Sequence, residues 1–401
     1  MLTAGPSFHA AKRYPMTVIE RIAEYHAELT EWRRDLHAHP EIGFEEERTS
    51  ELIASRLGEF GCEVTRGLGK TGVVGSLQVG SGNHAIGLRA DIDALAMDED
   101  NQFDHRSQIP GRMHGCGHDG HTVMLLGAAR YLAETRNFDG TVHFIFQPAE
   151  EGTGGAAAMV ADGLFERFPV DAVFGMHNRP GLAEGEFAVR SGPMMAGGGF
   201  FDITIQGRGA HGARPETGID PVIVAAHIAT ALQTIISRNL SPFETAVISV
   251  TRIEGGDAYN VIPDRAYLRG TMRAFSDAAM AAIVKGLNEI APGIAGAMGA
   301  MAEVETQVLF PPLINDDAEA AFVGDVAAAL VGEDKVTRDG PQVMASEDFP
   351  HMMQGRPGAY LNIGTGLEAC TVHNPSYDFN DAVLPLGASF WARLVETRLA
   401  K

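Results

Sequence analysis

The sequence predicts an α/β protein, in which a mostly parallel sheet lies between two layers of helices and is interrupted by an inserted α+β unit. Short apolar stretches alternate with amphipathic helical patterns over residues 72–176, which is typical of parallel sheets covered by helices on both faces. The order then changes to β-α-β-β-α-β over about 197–309, as in a ferredoxin-like unit. An α/β pattern returns after residue 310 and completes the first domain.

In the first domain, apolar residues at helical spacing predict four early helices. These predicted helices cover 17–36, 45–60, 121–135 and 154–167. Short apolar runs predict four strands, at 72–79, 85–90, 141–147 and 171–176. Gly80–Asn83 is typical of a hairpin turn, so we expect the first two strands to pair. Beyond the insertion, we expect a strand at 359–363 and helices at 316–331 and 384–399.

The inserted unit has strand patterns at 200–206, 246–253, 267–275 and 300–309. Its two helices are expected at 220–239 and after Ser276, the second ending before Pro292. We therefore divide the chain into a leader at 1–15, a main domain at 16–196 and 310–401, and an inserted domain at 197–309.

Composition limits the classes of function. The 401 residues include 52 acidic and 31 basic side chains, for a formal net charge of −21, which repels nucleic acids and anionic membranes. Three cysteines, an odd and sparse number, favour a reducing compartment, and hence the cytoplasm, over a disulfide framework. Neither a signal-peptide core nor an apolar run of about 18 residues is evident. We expect a protein that acts on small molecules.

The stretch His114–His121 carries three imidazoles, one thiol and one carboxylate within eight residues, separated by glycines. Glycine allows tight turns, so that several of these side chains can converge. Cys116 and His118, two residues apart, are suited to one or two transition metals. A flexible surface loop is the alternative, but the stretch leads directly into an apolar helical pattern and is therefore anchored.

Further ligand-type side chains follow three predicted strands. Asp91, Glu150, Glu151 and His177 each come just after a strand, and sites in α/β sheets lie beyond the carboxyl ends of the strands. Taken alone, His177 or His373 would be interpreted as a structural histidine. Together with the glycine-rich loop, they complete a set of candidate metal ligands: Cys116, His118, Glu151, His177 and His373.

Glu150 and Glu151 are adjacent, and neighbours on a regular strand point to opposite faces. Pro148 breaks the strand just before them, so an irregular turn can direct both inward. One carboxylate would then bind metal while the other carries protons for an activated water molecule. Two acidic residues that favour a helix N-terminus are the alternative interpretation, and both can hold.

The inserted domain contributes one candidate catalytic residue and two candidate substrate-binding residues. His211, flanked by glycines, could stabilise an oxyanion, or it could be an exposed loop histidine. Asn260 and Arg273 could bind a substrate carboxylate, for which the arginine fork is well suited. An ion pair at the surface is the alternative role for Arg273.

The motifs of this chain resemble the amidohydrolase branch of the M20 metallopeptidase family over residues 17–400. That branch includes hippurate hydrolases, N-acyl-amino-acid amidohydrolases and plant auxin-conjugate hydrolases. The similar blocks, in the order of the family, are RRDLHAHPEIGFEE, GLRADIDALAM, MHGCGHDGHT, FQPAEEG, GMHN, GRGAHGARP, AYNVIPD, ASEDF and TVHNPSYDFND.

The resemblance implies a catalytic domain with two divalent metal ions per subunit and an inserted lid that also forms a homodimer. It implies that the five candidate residues are the metal ligands, that Glu150 is the general base and that His211 stabilises the oxyanion. In relatives, this histidine acts in the site of the partner subunit. The ligand types suit zinc or manganese, and cobalt and nickel are also compatible. Asp91-Ile92-Asp93 stands where the wider family has a His-x-Asp ligand motif. We expect Asp91, Asp93 and Asp119 to orient ligands, with His114 and His121 in supporting roles.

The function predicted on these grounds is metal-dependent hydrolysis of an N-acyl amino acid. A dipeptidase or an N-acetyl-diaminopimelate deacetylase-like enzyme is the alternative within the family. A cysteine hydrolase that uses Cys116 and His118 is a rival mechanism, and a metal-binding or ligand-binding protein without catalysis is the rival outside enzymes.

Overall fold

The computed structural model describes residues 18–152 and 154–401 of the chain, so the predicted leader at 1–15 lies outside the described residues. Its α-helices are α1 (Glu20–Ala23), α2 (His26–Ala38), α3 (Glu47–Glu59), α4 (His118–Thr135), α5 (Gly155–Ala161), α6 (Leu164–Arg167), α7 (Pro221–Thr234), α8 (Asp277–Ala297), α9 (Asp317–Val331), α10 (Pro350–Met353) and α11 (Leu384–Arg398). Its strands are β1 (Glu63–Leu68), β2 (Gly72–Val79), β3 (Ala85–Asp91), β4 (Gly140–Gln147), β5 (Ala172–Arg179), β6 (Phe187–Val189), β7 (Gly192–Met195), β8 (Gly197–Gln206), β9 (Ala210–His211), β10 (Ala246–Glu254), β11 (Val261–Ile262), β12 (Arg265–Ala274), β13 (Met301–Phe310), β14 (Leu313–Asn315), β15 (Val336–Thr337) and β16 (Gly358–Gly364).

The large sheet has the strand order β1-β2-β4-β3-β5-β16-β6-β15. Its centre is parallel, because β3 pairs in parallel with both β4 and β5, and β5 pairs in parallel with β16. Helices α1–α4, α9 and α11 bury one face, while α5, α6 and α10 bury the other. This three-layer arrangement confirms the predicted α/β/α fold.

The predicted hairpin between the first two strands is wrong. Strand β4 lies between β2 and β3 and pairs with both. Seven of its eight residues are buried, so β4 belongs in the middle of the sheet, with helices over both faces. Asp139, just before β4, holds the turn that we took for a hairpin: its Oδ1 accepts hydrogen bonds from the Ser81 and Gly82 amides, each at 2.8 Å.

Other element boundaries also differ from the prediction. The first predicted helix is divided into α1 and α2, and α8 continues through Pro292 to Ala297. Strand β5 is longer than predicted, because its ladder with β16 continues to Arg179. His177 therefore lies within a strand rather than after one, at the position paired with Asn362.

The second sheet is antiparallel, with the order β10-β12-β8-β13 expected of a ferredoxin-like unit. Helices α7 and α8 cover one face around a core of its own. Pro221–Asn239 is the stretch, among the residues described, that is long and apolar enough to cross a membrane by length and composition alone. Its Val224, Ile228 and Leu232 side chains are buried in the core of this unit.

Candidate metal centre

The centre is built on the loop that begins helix α4. Gly117 has φ 92°, the left-handed region that glycine adopts without strain. A Cβ atom at this position would also lie 2.3 Å from Asn178 Oδ1, so the site requires glycine for close approach as well. Helix α4 then begins at His118, whose side chain is completely buried.

The structure brings the five predicted ligands together in two overlapping groups. Cys116, His118 and His177 form one, Cys116, Glu151 and His373 form the other, and within each group the ligand-type atoms lie within 4.8 Å of one another. Cys116 Sγ lies 3.4 Å from His177 Nε2, and Glu151 Oε1 lies 3.1 Å from His373 Nε2. Because the groups share Cys116, they form two adjacent candidate metal sites.

The hydrogen bonding of His177 leaves the nitrogen that faces Cys116 free to bind a metal ion. His177 Nδ1 lies 2.7 Å from the Asn178 carbonyl oxygen, which can only accept. The proton is therefore on Nδ1, and Nε2 keeps a free lone pair. His118 Nε2 and Glu151 Oε1 are buried without a well-formed hydrogen bond. Buried polar atoms are seldom left unpaired, so these residues fit a bound cation.

Aspartates hold the ligands in place. Asp93 Oδ1 lies 3.1 Å from His118 Nδ1, which leaves Nε2 for the metal. The other oxygen of Asp93 accepts a hydrogen bond from the Glu151 amide at 2.9 Å, so one carboxylate positions two ligands. Asp91 Oδ1 lies 2.5 Å from His121 Nδ1, and His121 in turn contacts Asn178. Carboxylate–imidazole contacts of this type fix the tautomer of metal-binding histidines.

Asp119, which we expected to orient a ligand, is placed elsewhere. Its Oδ2 lies 2.8 Å from His37 Nδ1 and 3.5 Å from the buried Arg33 guanidinium. Successive residues of a helix point about 100° apart, so Asp119 faces α2 while His118 faces the centre. The Asp119 hydrogen bond and that of Glu99 raise the pKa of His37 to about 9, despite its burial. Asp119 thus joins the loop to α2.

The turn after β4 carries both glutamates to the centre. Ala149 adopts φ 56°, a left-handed conformation that is unusual for a residue with a Cβ atom. The carboxylates of Glu150 and Glu151 then both lie close to His118. Burial, followed by the negative charges of Glu347 and Glu151, raises the pKa of Glu150 well above its usual range.

Behind Glu150 lies a buried network that sequence reasoning missed. Arg89 is fully buried and donates hydrogen bonds to Gln147, Asp91, Glu347 and Asp348 at 2.7–3.2 Å. Burying an arginine requires such paired acceptors. The motifs that contain these residues were recognised, but no feature of the sequence indicates that 89 and 347 meet.

The inserted domain does not bring His211 and Asn260 to the centre of the same chain. Both side chains are exposed. The two residues lie on neighbouring segments, which are joined by a hydrogen bond from the Gly212 amide to the Asn260 carbonyl oxygen at 2.7 Å. His211 Nδ1 accepts from the Ala213 amide at 3.1 Å. Within the described parts of the chain, neither side chain contacts a candidate ligand.

Arg273 lies far from Asn260. Asn260 precedes the Arg265 end of β12, whereas Arg273 lies eight residues along the strand, roughly 27 Å from Arg265. Arg273 instead lies at the junction of the two sheets, beside Gly198 and close to Ser346. A Cβ atom added to Gly198 would lie 3.1 Å from Arg273 Nη1 and 2.5 Å from Ser346 Oγ. One chain therefore cannot place Asn260 and Arg273 on the same carboxylate.

Comparison with models of known protein families assigns the chain to one of them. The model of peptidase family M20/M25/M40 matches residues 87–397, most of the chain. The chain belongs to peptidase family M20. The match includes the described ligands, the glutamate turn and the inserted unit.

Relatives of similar length indicate which type of enzyme within the family this chain resembles. The chain is 41% identical to the hippurate hydrolase of Campylobacter jejuni over 379 residues, covering 94% of this chain and 98% of the relative. It is 38% identical to an N-acetylcysteine deacetylase of Bacillus subtilis, covering 92% and 96%. The crystal structure of B. subtilis YXEP, a dinuclear metal-binding peptidase of family M20, superposes with a TM-score of 0.82 at 34% identity, covering 94% and 99%. The protein is a metal-dependent amidohydrolase.

Proposed function

We propose that the protein hydrolyses the amide bond of N-acyl amino acids, to give a carboxylic acid and a free amino acid. The observation that carries this proposal is the pair of overlapping ligand groups with the buried carboxyl of Glu150 beside them. The relatives named for N-acetylcysteine and hippurate support the N-acyl amino acid class.

Two divalent ions would be bound, one by each of the two ligand groups. Cys116, His118 and His177 would hold one, and Cys116, Glu151 and His373 the other, with the Cys116 sulfur common to both. Thiolate and imidazole ligands favour zinc, while the carboxylate also admits manganese, cobalt or nickel. The ions supply Lewis acidity, which makes water nucleophilic near neutral pH and polarises the amide carbonyl.

Glu150 would act as the general base. It belongs to neither of the two groups that share Cys116. Burial raises its pKa above the usual range of a carboxyl group, which is the direction that suits a group that accepts and returns a proton. It takes a proton from the attacking water and delivers it to the leaving nitrogen. Acid–base help of this type contributes about 10²–10⁴-fold to the rate.

The carboxylate of the substrate would bind at the junction of the two sheets. Arg273 is half-buried, and no described carboxylate forms an ion pair with it, although the chain has an excess of acidic residues. Ser346 Oγ, on the same side of Gly198 as the Arg273 guanidinium, is buried and has no hydrogen-bond partner. A substrate carboxylate would satisfy both groups, and Glu347, the next residue, belongs to the network behind Glu150.

A comparison of N-benzoylglycine with N-benzoylglycinamide tests the substrate class. With metal added, the protein should release benzoate from the carboxylate form much faster than from the neutral amide. Arg273→Gln should raise KM for N-benzoylglycine about 10–100-fold, since a charge-assisted hydrogen bond is worth about 1.5–3 kcal/mol, and should change the reaction of the neutral amide little. Ser346→Ala should act in the same direction with a smaller effect.

Arg269→Gln is the matched control, because Arg269 lies on the same face of β12 but pairs with Asp202 at 2.7 Å. It should leave both substrates unaffected. Equal losses for the two substrates in Arg273→Gln would contradict a carboxylate clamp. Including N-acetyl amino acids and dipeptides in the assay would show whether a deacetylase or a dipeptidase activity dominates.

We propose further that the protein is a homodimer in which the inserted domain delivers His211 and Asn260 to the partner subunit's centre. Strand β10 is an edge of its sheet and exposes Val247 and Ile253, and α7 exposes Ile223 beside it. A long apolar edge strand is prone to pair with another chain. His211 would then donate a hydrogen bond to the oxyanion that develops on the substrate.

Mixed dimers test this arrangement. In a twofold dimer with exchange across the interface, mixing inactive His211→Ala and Glu150→Gln subunits should recover about one active site in four. The reason is that the His211→Ala subunit keeps its own Glu150 and receives His211 from its partner. Verified mixed dimers without activity would place His211 in the site of its own chain.

A further inference from the structure

The turn that carries Glu150 and Glu151 is conformationally strained. Ala149 has φ 56°, and a left-handed conformation at a residue with a Cβ atom is disfavoured. The turn is also tightly packed, because a Cβ atom at Gly155 would lie 1.7 Å from the Pro148 carbonyl oxygen. Such a conformation persists only where neighbouring groups hold it.

A carboxylate from a distant part of the chain holds the first half of this turn. Glu46, the residue before helix α3, is completely buried, and its Oε1 accepts a hydrogen bond from the Ala149 amide at 2.8 Å. Its Oε2 accepts from Thr71 Oγ1 at 2.6 Å, which fixes the direction of the carboxyl group. The second half is held by Asp93, through the Glu151 amide.

The two contacts act on either side of Glu150. Amides 149 and 151 each donate a hydrogen bond to a buried carboxyl oxygen from a distant part of the chain. Because Glu46 is inaccessible to solvent, water cannot easily take its place. The Ala149 carbonyl also accepts a hydrogen bond from the Gly155 amide at 3.0 Å, so Glu46 supplies the contact on the amide side of this residue. Loss of Glu46 would weaken the hold on the left-handed conformation, and with it the directions of both following carboxylates.

We propose that Glu46 is a positioning residue, which acts through the Ala149 amide to hold Glu150 and Glu151 in their reactive orientation. The inference rests on the roles proposed above for Glu150 and Glu151. The Glu46 carboxyl group forms its hydrogen bonds with Thr71 and with the Ala149 amide, and not with a candidate ligand side chain. Its contribution is the geometry of the turn.

Three substitutions separate positioning from general stability. Glu46→Met preserves the approximate volume but removes the acceptor, whereas Glu46→Gln retains a carbonyl oxygen for the Ala149 amide. Thr71→Val removes the group that orients Glu46 and leaves Glu46 in place. The matched control is Glu319→Met, since Glu319 is also buried but pairs with Arg398, between α9 and α11.

The first measurement is hydrogen–deuterium exchange of a peptide spanning residues 147–152, on chelator-treated protein. Glu46→Met should raise the exchange rate of this peptide at least about tenfold, an effect that depends on the lost hydrogen bond rather than on activity. Glu46→Gln should exchange more nearly as the wild type does. Glu319→Met should leave this peptide unchanged, even if its melting temperature falls.

The second measurement is steady-state kinetics of the metal-loaded enzyme with N-benzoylglycine. Glu46→Met should lower kcat about 10²-fold with KM within a few-fold of the wild-type value, because a displacement of about 1 Å in the reacting groups costs this much. Glu46→Gln should recover most of the loss, and Thr71→Val should show a smaller loss of the same kind.

Normal kcat and normal exchange in Glu46→Met would overturn the proposal, as would a Glu46→Gln variant no better than Glu46→Met. If Glu46→Met does not fold, Thr71→Val decides: wild-type exchange and kcat in that variant would count against Glu46. A wild-type protein that hydrolyses no N-acyl amino acid would refute the proposed function, whereas the exchange experiment would still report on the turn.

Discussion

Glu150→Gln is expected to lower kcat by about 10²–10⁴-fold while the metal content remains that of the wild type. Glutamine has the shape of glutamate but cannot accept the proton of the attacking water. The two overlapping ligand groups around Cys116 are complete without Glu150, so the ions should stay bound. Metal analysis of the purified variant beside steady-state turnover measures both effects.

Glu151→Gln is the neighbouring control for this experiment. Glu151 lies 3.1 Å from His373 and belongs to one ligand group, so this variant should lose metal as well as activity. The pair separates proton transfer from metal binding at adjacent positions. Near-normal turnover in Glu150→Gln would exclude Glu150 as the general base.

Metal removal is expected to have the second large effect. Complete chelation should abolish turnover, and zinc, manganese, cobalt or nickel should restore it to different extents. The melting temperature should also fall, because a ligand that binds the folded state stabilises it. Activity and thermal unfolding, measured before chelation, after it and after metal is returned, provide the test.

The same experiment distinguishes the metal-dependent mechanism from that of a cysteine hydrolase. A nucleophilic cysteine requires a lowered pKa, whereas burial raises the pKa of the Cys116 thiol. A divalent cation favours the thiolate and would offset this cost. Full activity after complete metal removal would support the thiol mechanism and refute the metal-dependent one.

Part of the candidate ligand set could be recognised from the sequence because these residues are close together or directly follow a predicted strand. Cys116 and His118 are two residues apart on a glycine-rich loop, and Glu151 follows a strand directly. The carboxyl ends of adjacent parallel strands must meet at one edge of the sheet. His177 was also recognised, although its strand continues two residues beyond it.

Strand pairing and the direction of individual side chains were predicted less well. The glycine-rich turn after β2 suggested a hairpin, but β4, more than 50 residues further on, takes that place because its two buried faces require the centre of the sheet. Asp119 is next to a ligand in sequence, yet the rotation of the helix directs it to His37. Asp93 therefore orients His118 instead.

By itself, the sequence determined the α/β fold with its inserted ferredoxin-like unit, and it indicated the candidate metal ligands and the adjacent glutamate pair, because periodicity, turn residues and the spacing within each motif are local properties. Only the tertiary structure decided which groups support them. Glu46 meets Ala149 across 103 positions, and Arg273 and Ser346, from separate parts of the chain, both lie beside Gly198. Such contacts depend on how separate elements pack, and a buried polar group finds its partner only once that packing exists.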